Sequence, residues 1–376
     1  MFILHLFSNW KWTGPAEHAI NLCRMLKSRG HKVAFACGMP PEEGLDSIRK
    51  RAKDLGVATL DLRLRKHLYI TDNSRDIWAI SKYIRAEKPD ILHAHMTNDN
   101  LLAGLSARVA WSSVPILRTS YEGEGLKKTI RNQLLISRLT SGLVTVSERA
   151  KEADVKNFHL SLDRVWKIEV GVDTNRFSPR KTEPHIRKTL DIGPEDVVVG
   201  VVARIQRHRR FNVFLEAFRR ASDKMPNLRA LIVGRGTNMD PVAVEPTKRM
   251  GLNGKVIFPG YKDSNEYVDM LASMDIKVFL VPGTDGSCRA VREAMAMGLP
   301  VVAARRGMLP EIVEHGKNGF VIDDTPERLS EAILKLASDE ALRRRMGEAS
   351  RQIAVERFSL DKEARDVEAV YKTLLG

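Results

Sequence analysis

Ile276-Lys277-Val278-Phe279-Leu280-Val281 runs directly into Pro282-Gly283-Thr284-Asp285-Gly286-Ser287-Cys288-Arg289-Ala290-Val291-Arg292-Glu293-Ala294-Met295-Ala296-Met297-Gly298-Leu299-Pro300-Val301-Val302. The apolar run at its start reads as a buried strand, and Pro282-Gly283 ends it in a turn. A short polar loop follows, and Ser287 has the side chain of a helix N-cap. The helix closes at Gly298, and Pro300 prevents its continuation. A further strand is expected over 300–303. Strand, loop, helix and strand in this order make a unit of a parallel α/β sheet. The first turn of its helix leaves backbone N–H groups free. Together with the helix dipole they form an anion site. Asp285 stands beside that site, and Glu293 lies about two turns further along the helix.

The same alternation extends over the rest of the chain. Short Val, Ile and Leu runs predict strands at 2–7, 32–37, 90–93, 115–119, 142–146 and 165–170. A helix ends at Ser28 before Arg29-Gly30. From Asn175-Arg176-Phe177-Ser178-Pro179 to Gly193-Pro194-Glu195 the sequence is polar and punctuated by proline, as in a linker with a short helix. The pattern then restarts, with strands expected at 197–203, 229–233, 256–259, 276–281, 300–303 and 319–322. Two successive α/β units follow, one over 1–178 and one over 179–356. The tail beyond Pro326 is helical and charged, and Arg343-Arg344-Arg345 reads as a solvated face.

Size and composition agree with this division. The 376 residues exceed the roughly 100–200 typical of one domain. A hydrophobic content of 43% suffices for sizeable cores. No apolar run reaches the roughly 18–20 residues that span a bilayer. Met1-Phe2-Ile3-Leu4-His5-Leu6-Phe7 reads as a strand and lacks the basic region and cleavage site of a signal peptide. Cys23, Cys37 and Cys288 have neither disulfide nor zinc spacing, so a cytoplasmic location is expected. The net charge of +14 favours anionic partners, and the excess leans to the first half.

An ionised carboxylate accepts hydrogen bonds from two hydroxyls at once, so two of them can hold a hexose and a ribose on either side of a diphosphate. By spacing alone, Asp285 and Glu293 read more readily as a loop cap and a helix-surface residue, since such spacings are common. The wider stretch decides between these readings. It resembles the Glu-x7-Glu donor motif of family 4 glycosyltransferases, written Glu-Gly-Phe-Gly-x4-Glu-Ala-Met-Ala-x-Gly-x-Pro-Val-Val. Gly286, Glu293, Ala294, Met295, Ala296, Gly298, Pro300, Val301 and Val302 match it. Asp285 replaces the first glutamate, Ser287 the phenylalanine and Cys288 the second glycine.

The resemblance covers nearly the whole chain. Ala203-Arg204-Ile205-Gln206-Arg207-His208-Arg209-Arg210 resembles Gly-Arg-Leu-x3-Lys-Gly, whose Arg and Lys bind the donor diphosphate. These roles carry over to Arg204 and Arg209, while Arg210 replaces a glycine. Thr13-Gly14-Pro15-Ala16-Glu17 sits where the family has Gly-Gly-x-x-Glu, and Gly14 is the expected point of close backbone approach to the donor. Gly234 ends the strand in Gly234-Arg235-Gly236 and joins the donor-binding candidates. Asp90-Ile91-Leu92-His93-Ala94-His95 matches Asp-Val-Val-His-x-His, with His95 the functional candidate and His93 a structural one. Tyr121, after Arg118-Thr119-Ser120, stands where many members carry a histidine that touches the donor sugar. Glu169-Val170-Gly171-Val172-Asp173-Thr174-Asn175-Arg176-Phe177 matches the segment before the domain crossing.

The resemblance implies the GT-B fold: two Rossmann-like α/β domains facing across a cleft, with a last helix in 357–376 crossing back to the first domain. It implies retaining transfer of a sugar from a nucleotide-diphosphate sugar, UDP- or GDP-linked. Glu293 would bind the ribose and Asp285 the sugar hydroxyls. The N–H groups of Gly286, Ser287, Cys288 and Arg289, with Arg204 and Arg209, would hold the diphosphate. His95 and Tyr121 are candidates for orienting the sugar. There is no Asp-x-Asp motif, and no metal or other cofactor is implied.

Trp10-Lys11-Trp12 is the candidate acceptor-side element, since its rings can stack on sugars or rest at a lipid interface. A basic amphipathic helix is expected over 125–135, with Leu126, Ile130 and Leu134 beside Lys127, Lys128 and Arg131. These features point to a cell-envelope glycan or lipid-linked acceptor, as in lipopolysaccharide biosynthesis, and to peripheral contact with an anionic membrane surface. A nucleic-acid partner is disfavoured, because no signature of stacking aromatics is present. Two alternatives remain: a GT-B epimerase or phosphorylase, and a non-enzymatic nucleotide- or nucleic-acid-binding protein.

Overall fold

The computed structural model describes residues 1–42, 46–180, 184–262, 264–281 and 288–376. Asp285, Gly286 and Ser287 lie outside the described residues. The chain forms two compact units. The first comprises Met1–Gly171 together with Leu360–Gly376, and the second is drawn from the described residues between Val172 and Ser359.

The first unit is built on seven parallel strands: β1 (Phe2–Phe7), β2 (Lys32–Gly38), β3 (Thr59–Leu62), β4 (Ile91–Ala94), β5 (Ile116–Ser120), β6 (Gly142–Thr145) and β7 (Val165–Lys167). Their order is β3-β2-β1-β4-β5-β6-β7. The direction of progress reverses between β1 and β4, where Ile3 is level with Ile91 and His5 with His93. Ligands of open α/β sheets bind at the carboxyl ends of strands beside such a reversal.

One face of this sheet is covered by the helices Ile70–Glu87 and Thr97–Val109, around Leu4, Leu6, Leu92 and Leu102. The other face receives the helices Gly14–Ser28 and Leu360–Leu375. The last helix places Ala364, Val367, Val370 and Tyr371 on one stripe at helical spacing. That stripe buries itself on Ile3, Ile91, Leu117 and Val144, so the final segment of the sequence completes the core of the first unit.

The second unit has six parallel strands: β8 (Val197–Val202), β9 (Leu228–Val233), β10 (Val256–Gly260), β11 (Ile276–Phe279), β12 (Val301–Ala304) and β13 (Gly319–Ile322). Their order is β10-β9-β8-β11-β12-β13, with the reversal between β8 and β11. The helices Phe211–Lys224 and Pro326–Ala337 fill one face with Phe214, Phe218, Leu329 and Ile333. The helices Arg289–Ala296 and Glu340–Arg357 pack against each other, where Gly347 meets the carbonyl of Gly298 so closely that a Cβ would lie 2.2 Å from it.

Three expectations require correction. Strand β3 was not legible, because Thr59-Leu60-Asp61-Leu62 is a short edge strand with an interrupted apolar pattern. The helix expected over 125–135 begins only at Ile130. Thr129 caps it by accepting from Asn132 N at 3.1 Å, and Leu126 is held apart in the preceding loop by Asp154 Oδ1, which accepts from its N–H at 2.7 Å. Leu126 is therefore buried, while Ile130 and Leu134 face solvent. Finally, Gly14, which reads as part of the loop after the first strand, is the first residue of its helix.

Candidate functional site

In the second unit the helix Arg289–Ala296 carries Glu293 on a fully internal face, with only 2% of its surface exposed. A buried carboxylate needs partners. Tyr267, from the helix Ser264–Ala272, donates its hydroxyl to Glu293 Oε2 at 2.6 Å. Arg289, one turn back on the same helix, places Nε 3.2 Å from Oε1. Beneath the helix, Lys277 on β11 is wholly buried, and its Nζ makes no hydrogen bond among the described residues. Burial pulls its ammonium down to about 7, against the opposing pull of the Glu293 charge. Neither Tyr267 nor Lys277 was singled out from the sequence. Lys277 had a signal, a lone charge inside Ile276–Phe279, whereas Tyr267 had none.

Ser287, the expected cap, lies outside the described residues, and the residue at the head of this helix is Cys288. Its backbone is left-handed (φ 47°), its side chain makes no cap bond, and its carbonyl accepts from Val291 N at 2.9 Å. The thiol is buried.

The loop after β8 lies next to the end of β11 across the strand reversal. Arg209, in a short 3-10 turn, donates Nη1 to the carbonyl of Val281 at 2.8 Å. The cation is thereby fixed at the carboxyl end of β11, immediately before residues 282–287. Arg204 is exposed, and the backbone on either side of it is clamped. Ile205 N donates to Arg235 O at 3.1 Å. A Cβ on Gly234 would meet Ala203 O at 2.0 Å, and one on Gly236 would meet Ile205 O at the same distance. Gly234 and Gly236 thus let two loops run side by side with Arg204 between their contact points. Arg210 follows in the left-handed region (φ 63°), a conformation that suits the glycine it replaces. It is held there by Asp324, whose carboxylate lies 2.9 Å from Arg210 Nε and also pairs with Arg306.

In the first unit the structure joins His95 and Tyr121 in a buried relay. His5 Nδ1 and His95 Nε2 are 2.9 Å apart, and His95 Nδ1 is 2.8 Å from the Tyr121 hydroxyl. His93 shares the sheet face. It bonds Tyr371 of the last helix at 2.6 Å and Thr119 at 2.8 Å. Burial drives His5 down to about 3 and His93 and His95 well below the usual histidine range, so all three are neutral. Burial also lifts the Tyr121 phenol well above its ordinary value. His95 and Tyr121 therefore act as neutral hydrogen-bonding groups and not as proton carriers near pH 7.

The ring nitrogens of His5, His93 and His95 approach within 4.8 Å of one another, close enough to consider a metal. The rings are stacked, however, with His93 and His95 centroids 4.4 Å apart at 22°. Stacked imidazoles direct their in-plane lone pairs alongside one another instead of toward one point, and both nitrogens of His93 and of His95 already have partners. The cluster is a hydrogen-bond relay. His5 was not singled out from the sequence, where it lies inside an apolar strand.

The acceptor-side candidates form a pinned loop. Asn9 Oδ1 accepts from the N–H groups of Trp10 and Lys11, and Trp10 O accepts from Ile48 N at 2.9 Å. Lys11 is exposed, and its ammonium lies 5.3 Å from the Trp10 ring. Trp12 packs on the cluster around Ala16, Phe35 and Ile48. No helix among the described residues is long and apolar enough to cross a membrane.

Comparison with known proteins matches both halves of the chain. The family described as glycosyltransferase family 4 covers residues 12–176, and that described as glycosyl transferases group 1 covers residues 182–353. The chain is 27% identical to a D-inositol 3-phosphate glycosyltransferase of Corynebacterium urealyticum, over 76% of this chain and 72% of that one. It is 22% identical to the UDP-Gal:alpha-D-GlcNAc-diphosphoundecaprenol alpha-1,3-galactosyltransferase of Escherichia coli, over 82% and 81%. In three dimensions it resembles the crystal structure of Anabaena Alr3699/HepE in complex with UDP. The TM-score is 0.83 at 19% identity, and the match covers 99% of this chain and 100% of that one.

Proposed function

Because the chain belongs to the glycosyltransferases, family 4 in its first half and group 1 in its second, we propose that it moves a sugar from a nucleotide-diphosphate sugar, with retention, onto a lipid-linked or cell-envelope glycan acceptor. An enzyme of this family on a GT-B fold sets aside the non-enzymatic alternative. The observation that carries the reading is the placement of Glu293: a buried carboxylate on the first helix after β11, oriented by Tyr267 and Arg289, with Arg209 tied to the end of the same strand.

In this reading Glu293 accepts from the ribose hydroxyls, and Tyr267 and Arg289 hold its two oxygens in place. Asp285 accepts from the hydroxyls of the transferred sugar. Arg204, Arg209 and the N–H groups at the head of the helix Arg289–Ala296 bind the diphosphate. As the bond between the anomeric carbon and the phosphate oxygen breaks, charge grows on the departing nucleotide diphosphate, and these cations stabilise it more strongly than in the ground state. The acceptor hydroxyl attacks the same face of the sugar and gives its proton to the leaving phosphate. The mechanism assigns charge neutralisation to arginines and backbone and calls for no metal. His95 and Tyr121 contribute fixed, neutral hydrogen-bonding groups.

UDP- and GDP-sugars are the proposed donors. The lipid-linked acceptor follows the activity that the Escherichia coli relative is named for, and the basic excess of the chain supports peripheral contact with the inner face of a cytoplasmic membrane. Release of product nucleotide from UDP-, GDP-, ADP- and dTDP-sugars tests the donor. Arg204→Ala, Arg209→Ala and Glu293→Ala should each lower turnover by at least tenfold. Unchanged transfer in all three would refute the site.

A further inference from the structure

The three helices on one face of the first unit present a basic outer surface. Ile70–Glu87, Thr97–Val109 and Ile130–Leu139 lie side by side, the second between the other two. Arg85 Nη2 reaches Val109 O at 2.7 Å, and Arg108 Nη2 reaches Arg138 O at 3.1 Å, so the surface is continuous. Its exposed charged residues are Arg75, Lys82, Arg85, Arg108, Arg131 and Arg138 against a single acid, Glu87. That acid is already paired with Lys32 at 2.8 Å.

Large apolar side chains stand among these cations. Trp78 is 66% exposed, Ile130 80% and Trp111 95%. Trp111 is the telling residue. Its backbone lies in the left-handed region (φ 55°), which a bulky side chain rarely adopts, so the fold accepts local strain and still leaves the indole in water. Beside it, Arg85 and Lys88 line an open groove of about 550 Å³. Indole rings favour the headgroup level of a bilayer, where one edge is apolar and the other wet, and flanking Lys and Arg are drawn to anionic lipid.

We propose that this three-helix face docks the protein on an anionic phospholipid bilayer, with Trp78 and Trp111 entering the interface and the Arg85–Lys88 groove receiving a lipid phosphate. The proposal rests on the membrane contact in the functional reading above and places it on this face, which includes Ile130 and Arg131 of the stretch 125–135, and not on the loop Trp10-Lys11-Trp12. Trp12 is already engaged in packing, and Trp10 belongs to a pinned loop.

Sedimentation of the full chain with vesicles of phosphatidylglycerol and phosphatidylcholine, against vesicles of phosphatidylcholine alone, tests it. Wild type should bind the anionic vesicles only, and salt should weaken binding. The double variant Trp78→Ser, Trp111→Ser should lose binding at least fivefold with unchanged circular dichroism, while Trp10→Ser should keep it. Wild-type levels of binding by the double variant would overturn the face while leaving membrane association standing. Absence of binding by wild type would overturn both. A wild-type dimer that the double variant dissociates, without vesicle binding, would assign the face to a second copy and equally overturn the proposal.

Discussion

Tyr267 and Glu293 come from different helices of the second unit and meet in a 2.6 Å hydrogen bond at a carboxylate that is almost wholly buried. A hydrogen bond to a charged group is worth about 1.5–3 kcal/mol. Removing it with Tyr267→Phe keeps the ion pair with Arg289 but frees Oε2 from its tether, so the carboxylate can rotate. If Glu293 holds the donor, the KM for the donor should rise by roughly tenfold, with a smaller change in kcat. Steady-state kinetics over a range of donor concentrations measure this. An unchanged KM would remove Glu293 from donor binding.

Lys277 should make stability depend on pH. Burial takes it from the ordinary lysine value of 10.5 to about 7 in the folded chain. Between those two values the unfolded chain keeps a proton that the folded chain has lost. Stability therefore rises with pH across the window, and below pH 7 the cost of burying the charge is borne in full. Lys277→Met should stabilise the protein at pH 7, by an amount on the order of a few kcal/mol, and flatten the rise. Thermal unfolding of both proteins from pH 6.5 to 9.5 would show it. A parallel pair of curves would mean that Lys277 does not titrate there.

Gly234→Ala should be severe although it adds one methyl group. The new Cβ would lie 2.0 Å from Ala203 O, a backbone atom with no rotamer to escape to. The two loops must separate, and Arg204 moves with them. A loss of more than about 2 kcal/mol in denaturant unfolding is expected, together with a fall in transfer. Gly251→Ala is the control: its Cβ would meet nothing within 4 Å, so only the strain of its positive φ is felt.

The sequence read well where one periodicity ruled. Phe2–Phe7 and Gly319–Ile322 appear as strands with the bounds expected of them, because mostly apolar runs stop at polar turn residues, Ser8-Asn9 after the first and Asp323-Asp324 after the second. It read poorly where tertiary partners decide. Thr59–Leu62 becomes a strand because β2 offers it an edge. Cys288 heads its helix despite a better capping side chain at the preceding position. Arg210 looked anomalous in a glycine position until Asp324, more than a hundred residues away, supplied its anchor. Tyr267 and His5 reach their partners only through the fold, and no local pattern marks either one.

The helix Leu360–Leu375 closes the core that begins at Ile3. During synthesis on the ribosome, therefore, the first unit cannot finish folding when its own strands have emerged. Ile3, Leu22, Ile91, Leu117 and Val144 lack part of their cover until residues 360–375 have been made. The second unit, drawn from residues between Val172 and Ser359, has its strands and helices earlier and can fold while the older half waits. Nascent chains stalled before residue 360 should accordingly hold a protease-resistant second unit beside a sensitive first one, and that order is the reverse of the order in which the two are translated.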